Sequence, residues 1–401
     1  MKKGIALGLV FLIMMMSFTS ISGNQINNQI IKPSVRGGIL YVGGSGPGNY
    51  STIQSAINDS SDGDTVFVFD DSSPYYENVF INQSIDLIGE NKDTTVIDGD
   101  YDNNVIQINA NYVTISGFTL QNSGDYFSDA GIKLGYYNNP INYTTIFNNS
   151  IFNNENGIRL YEGSSYNNIS DNNVSYNQGN GIWINGGGDP YRCIENVIQG
   201  NIISNNGDEG VGTSMVVLKT KIINNRIFNN ERGGIFSDGS YDEICYNEIY
   251  SNKLFGISYG AGFPAINVLI SNNKIYNNLG YGIYLWGFIW GPLVNFEISK
   301  NHIESNLLSG IQLRWTEVSK IVNNNIYNNG VNARFSNSFG NKWDGNYWRS
   351  SKNIKIISGS IKPLYFFPLY LPFITIPMFN FDFHPAKEPY NMTTAQGCGI
   401  E

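Results

Sequence analysis

The chain has 401 residues, a net charge of −9 and 14% charged residues, against roughly 25% in ordinary soluble chains. With no basic stripe to neutralise phosphates, a nucleic-acid partner is disfavoured. Aromatic residues reach 14%, with 26 Tyr, a composition that suits an uncharged, hydroxyl-rich partner better.

The first element is a targeting segment. Lys2 and Lys3 precede an apolar run from Ile5 to Met16, and the small polar stretch SFTSISG follows. Residues 1–23 therefore read as a signal peptide or N-terminal anchor, with a cut near Ser22 or Gly23. The expected location is secreted or cell surface, and membrane contact is expected only through that segment if it stays uncleaved. Next, ILYVGG reads as a strand, and STIQSAINDSSDGD reads as a short helix with Ser51 as N-cap. Ile53, Ala56 and Ile57 fall on one face of that helix, placed to cover an open apolar end. TVFVF, YENVFIN, SIDLIGE and TVIDG follow as short strands separated by turn residues.

From Asn149 onward one phrase recurs. Asn at position zero, Ile or Val at plus two and Asn at plus five appear together at Asn149, Asn172, Asn201, Asn225, Asn247, Asn273, Asn301 and Asn324. A period in the twenties marks a solenoid. Apolar positions alternate with polar ones, as in Ile283-x-Leu285, and Gly and Asn punctuate each turn, so the coils consist of strands and corners. Stacked coils make a parallel β-helix over residues 38–350. Its Asn side chains are expected to stack as hydrogen-bonded ladders, and Asn and Gly are expected to supply left-handed corners. Residues 351–401 form a separate C-terminal strap or cap. Its apolar run carries Pro363, Pro368, Pro372 and Pro377, which break any helix there.

The run from TIQSAIN to TVIDG resembles the opening of right-handed parallel β-helix proteins of the pectate-lyase-like superfold. The later coils resemble the NosD-like repeat group of nitrous-oxide-reductase copper-site assembly. WDGNYWRSS and FDFHPAKEPYN resemble the end of exported archaeal members of that group. The resemblance implies an all-β, right-handed parallel β-helix with a short N-terminal capping helix and an aromatic, proline-rich C-terminal cap. It implies little about function, because the fold hosts lyases, hydrolases, esterases and binding proteins. The group's copper role does not transfer: His302 and His384 are the only histidines, four of the seven Met lie in residues 1–16, and Cys193, Cys245 and Cys398 are scattered. No metal site, no cofactor and no disulfide framework is expected, and calcium only if the chain is a lyase.

The residue between the two apolar positions of each Gly-Ile-x-Leu phrase faces outward. Coil by coil this row reads Lys133, Arg159, Trp183, Gly212, Phe236, Ser258, Tyr284 and Gln312, with Arg314 and Trp315 just beyond. Flat rings in a line can stack on sugar faces, and Lys133 and Arg159 can hold carboxylates or hydroxyls. The partner expected is a polysaccharide or cell-surface glycan. No carboxylate occurs in the row, and Asp189 and Asp238, each in a Gly-rich turn, are the only catalytic candidates. The sequence therefore favours a non-catalytic binding protein, with a polysaccharide lyase or glycoside hydrolase as the alternative.

Overall fold

The computed structural model describes residues 37–214, 216–260, 265–289, 291–350, 353–361 and 375–391. The proposed signal segment, Trp290, Cys398 and most of the proline-rich run lie outside them. Three strands per coil stack into three columns. The first runs from Ile39–Val42 to Lys342–Asp344, the second from Tyr75–Tyr76 to Asn325–Tyr327, and the third from Val79–Ile81 to Lys355–Ile361. All pairings along the columns are parallel until the end, where Lys355–Ile361 pairs antiparallel with Ile376–Asp382. The fold is the expected right-handed parallel β-helix.

The repeat phrase occupies the second column. Ile151, Val174, Ile203, Ile227, Ile249, Ile275, Ile303 and Ile326 pair in register, each with 0% exposure. Asn ladders run up both corners beside them. In each step one Asn backbone N–H and its Nδ2 both donate to the Oδ1 of the equivalent Asn in the next coil. Asn247 gives both bonds to Asn273 at 3.0 Å, and Asn252 gives both to Asn278 at 3.0 and 3.1 Å. The other Nδ2 hydrogen goes to a backbone carbonyl, so every amide is used while buried.

Two corner expectations are refined. The ladder Asn is not the left-handed residue; the residue before it is, as Asn272 (φ 58°) and Asn277 (φ 55°) show, and this division of work explains the doubled Asn of the repeat. The Gly before each Ile is not there for its φ either. A Cβ on Gly256 would come within 2.4 Å of Ile275 Cγ2 and 2.8 Å of the Gly282 carbonyl, so close packing excludes any side chain.

Both ends are closed. The helix Ile53–Asp59 buries Ile53, Ala56 and Ile57, and its N-cap is Thr52, not Ser51. The Glu77 carboxylate accepts the N–H groups of Ile53 and Gln54, satisfying donors that the first turn leaves open. At the other end Asp382, fully buried, accepts from Asn346 N, Asn346 Nδ2 and Trp348 Nε1 at 2.9, 3.2 and 3.0 Å, terminating the ladder. Cys193 is free and buried, whereas Cys245 is disulfide-bonded, which the scattered cysteines did not announce.

Asp242 is a further buried acid. Asp242 takes a ladder position, accepting from Thr220 N at 2.9 Å, the Tyr259 hydroxyl at 2.9 Å and Ser237 Oγ at 3.0 Å. Burial pushes its carboxyl up to about 7.

Candidate functional site

The third column holds the outward row in one register. Lys133 pairs with Arg159, then Trp183, Gly212, Phe236, Ser258, Tyr284, Gln312 and Arg334 follow. At the inter-strand spacing of about 4.8 Å, Lys133 to Gln312 spans roughly 34 Å.

The basic end is the most unusual part. Arg159 is only 8% exposed, its Nη1 donates to the Phe127 carbonyl at 3.0 Å, and its Nε has no partner. Its guanidinium also lies 5.8 Å from the Phe127 ring centre. Lys133 Nζ donates to Ser128 Oγ at 3.3 Å. Among the described residues neither cation forms an ion pair. Burial pulls Lys133 below its ordinary range, with Arg159's charge adding to the effect, and burial likewise lowers Arg159. Two carboxyls stand at the entry of the same two strands. Asp129 and Glu155 are both pushed up, chiefly by burial. Four ionisable groups are thus each pushed toward the neutral form within two adjacent coils.

A third acid lies two coils beyond Glu155. The Glu209 side chain is 3% exposed, and Arg232 Nη1 stands 3.4 Å from its Oε1 and 3.2 Å from Asp208 Oδ1. Burial, reinforced by the charge of Asp208, raises Glu209 to about 7. Asp129, Glu155 and Glu209 escaped the sequence reading because they precede the Gly-Ile phrase instead of occupying its outward position. A signal existed at Glu209, where DEGVGTS replaces the usual Gly-Ile-x-Leu.

The remaining expected residues divide. Tyr284 stacks between Tyr281 (4.6 Å) and Trp286 (6.5 Å), so its ring serves a local aromatic cluster. Phe236 lies 6.5 Å from Phe255. Gln312 is buried, donates to the Leu313 carbonyl at 3.1 Å and accepts from Arg334 Nε. Arg314 is exposed in register with Trp286, and Trp315 takes a left-handed corner at φ 51°. Asp189 and Asp238 sit two coils apart with separate partners. The Asp189 side chain is 72% exposed and pairs with Arg192 at 2.5 Å, while the Asp238 N–H donates to Thr213 Oγ1 at 3.4 Å.

Among the described residues no group of three or more His, Cys, Asp or Glu could hold a metal ion, and no helix is long and apolar enough to cross a membrane. His302 instead contacts the Tyr327 hydroxyl at 3.0 Å and Glu304 at 3.2 Å on the second column.

A family model described as the right handed beta helix region matches residues 142–288. No curated protein matches the sequence. Among solved structures, the chain is similar to the A-module of the Azotobacter vinelandii mannuronan C-5 epimerase AlgE6, at 16% identity and TM-score 0.59, over 74% of this chain and 88% of that one. It is also similar to the DFA-IIIase of Arthrobacter chlorophenolicus A6, at 10% identity and TM-score 0.57, over 78% and 94%. The periplasmic alginate epimerase AlgG aligns at 15% identity and TM-score 0.50, over 71% and 72%. At these identities the likeness carries the fold. The expectation of a non-catalytic protein is corrected to this extent: the three solved chains just named are catalysts by name, so the fold gives no ground for leaning away from an enzyme. The outward row, read at one phase, holds no acid, whereas Asp129 and Glu155 stand at the entries of its first two strands. The chain is a right-handed parallel β-helix whose fold relatives include named catalysts, and its third column carries Lys133 and Arg159 with Asp129 and Glu155 at the entries of the same two strands.

Proposed function

We propose that this chain is an exported carbohydrate-active enzyme that holds an acidic polysaccharide along the third column and moves a proton at a uronate sugar. The observation that carries this reading is the in-register pair Lys133 and Arg159, desolvated, without an ion-pair partner among the described residues, and flanked by Asp129 and Glu155. Removing the proton next to a uronate carboxylate requires that carboxylate's charge to be neutralised. Two adjacent cations of the chain itself supply this, and a low-dielectric setting strengthens their effect. A carboxyl raised by burial is tuned toward working pH as a proton acceptor or donor. In a lyase the C5 proton goes to the base and the C4–O bond breaks as the leaving oxygen gains a proton. In an epimerase a proton returns to C5 from the opposite face. Glycoside hydrolysis is the weaker reading, since it needs two carboxyls facing one bond and gives the cation pair no role.

The fold likeness to polysaccharide epimerases supports the reading. The test is incubation with polyuronates and with neutral polysaccharides in deuterated water. Unsaturated uronate ends mark a lyase, deuterium at C5 without chain cleavage an epimerase, and new reducing ends alone a hydrolase. If the folded chain yields none of these on any polyuronate, the proposal fails.

A further inference from the structure

Gly212 interrupts a row in which every neighbour carries a side chain. A Cβ built on Gly212 would come within 2.4 Å of both Cε3 and Cζ3 of Trp183. The Trp183 ring therefore occupies the space directly above Gly212, one coil along, instead of standing up from its own strand. Its other neighbour in the row is Arg159, one coil before. A ring laid down on the sheet buries one face against backbone and turns the other outward, and Trp183 is half-buried. By contrast, the face of Tyr284 is engaged by the rings of Tyr281 and Trp286.

A second observation marks the same spot. Asn180 Oδ1 lies 3.3 Å from the same Cβ position, buried and without a hydrogen-bond partner. A buried acceptor left open is costly, and a hydroxyl donor is the chemistry that satisfies it. A flat apolar surface with an unpaired, buried acceptor beneath its edge matches a pyranose ring, which offers an apolar face and a rim of hydroxyls, one of which reaches that oxygen if the indole shifts on binding.

We infer that Trp183, laid over Gly212 with Asn180 at its edge, is a stacking subsite for one sugar ring, and that Gly212 is the positioning residue that keeps the platform flat. This deepens the proposed function by placing a sugar unit one coil beyond the Arg159 cation. Gly212 has no positive φ, so Gly212→Ala is sterically opposed chiefly by the movable indole at 2.4 Å, and Asn180 Oδ1 at 3.3 Å needs to give by only a few tenths of an ångström.

The experiment measures binding, so its result is independent of turnover. A mannuronate hexasaccharide and cellohexaose are titrated against the parent, Trp183→Ala, Gly212→Ala and the double variant, with thermal melts as a folding control. Stacking contacts of this kind predict that Trp183→Ala and Gly212→Ala each weaken binding by about three- to tenfold. The double variant should bind about as well as Trp183→Ala, because Gly212 acts chiefly through the ring, whose atoms lie 2.4 Å from the added Cβ against 3.3 Å for Asn180 Oδ1. Unchanged binding in Gly212→Ala overturns the inference. So does a Gly212→Ala effect that persists without Trp183, or a parent that binds neither hexasaccharide. Loss of turnover with these binding results intact would instead fault the proposed chemistry.

Discussion

Asn272 and Asn273 are adjacent in the chain and do opposite work. Asn272 turns the corner at φ 58°, and Asn273 accepts two hydrogen bonds at 3.0 Å from Asn247 in the preceding coil. One supplies conformation and the other supplies pairing, so the two should respond differently to substitution. Asn273→Ala leaves buried donors of Asn247 unpaired and should cost about 2–5 kcal/mol. Asn272→Gly keeps the left-handed corner and should change stability by less than about 1 kcal/mol. Urea unfolding of the two variants checks the contrast, and equal effects would refute the division.

Ile275 sits in the middle of the second-column core with 0% exposure, in register with Ile249 and Ile303. Replacing it by Asp puts an unpaired carboxylate into that column. The local coils should open, with a loss of several kcal/mol, read as new proteolytic cleavage around residues 250–300 and a lower Tm. A variant that keeps the parent Tm would show that the position is not core.

Asp242 makes stability depend on pH with a definite sign. Its folded pKa of about 7 lies above the ordinary carboxyl value, so the folded state holds the proton more tightly than the unfolded chain. Its contribution is full below the unfolded pKa and is lost as pH rises through about 7, by up to about 4 kcal/mol. Asp242→Asn keeps an acceptor for Thr220 and removes the titration. Tm measured at pH 5 and pH 8 should fall less in the variant than in the parent. Some slope should remain, because Glu209 is raised for the same reason.

Arg159 should matter to turnover through its geometry as well as its charge. Arg159→Gln should lower kcat/KM on a polyuronate at least 100-fold, about 3 kcal/mol of transition-state stabilisation. Arg159→Lys should recover part of it, since a lysine keeps the charge and loses the guanidinium fork. Identical losses in both variants, with parental melts, would place the essential function in the fork rather than the charge.

The repeat made the scaffold legible because each coil solves the same packing problem with the same residues, and Ile275 or Asn273 could be placed from the phrase alone. The face was legible only in part. Lys133, Arg159 and Trp183 occupy the outward phase, whereas Glu155 and Glu209 lie at the edge, where side-chain direction depends on how the corner bends. The meaning of Gly212 was out of reach, because an absent side chain speaks only once the Trp183 ring is seen above it. Thr52 displaced Ser51 as cap because two adjacent hydroxyls both satisfy the pattern, and only backbone geometry selects between them.

Asp382 has a consequence for how these molecules meet one another. An Asn ladder is indifferent to chain identity, so an uncapped end could be continued by a second copy and the first by a third, giving an endless fibre. Asp382 closes that route chemically. Its carboxylate accepts what Asn346 and Trp348 offer and presents no amide hydrogen onward. The exchange of one nitrogen for one oxygen at the last rung leaves this ladder no side-chain donor with which to continue.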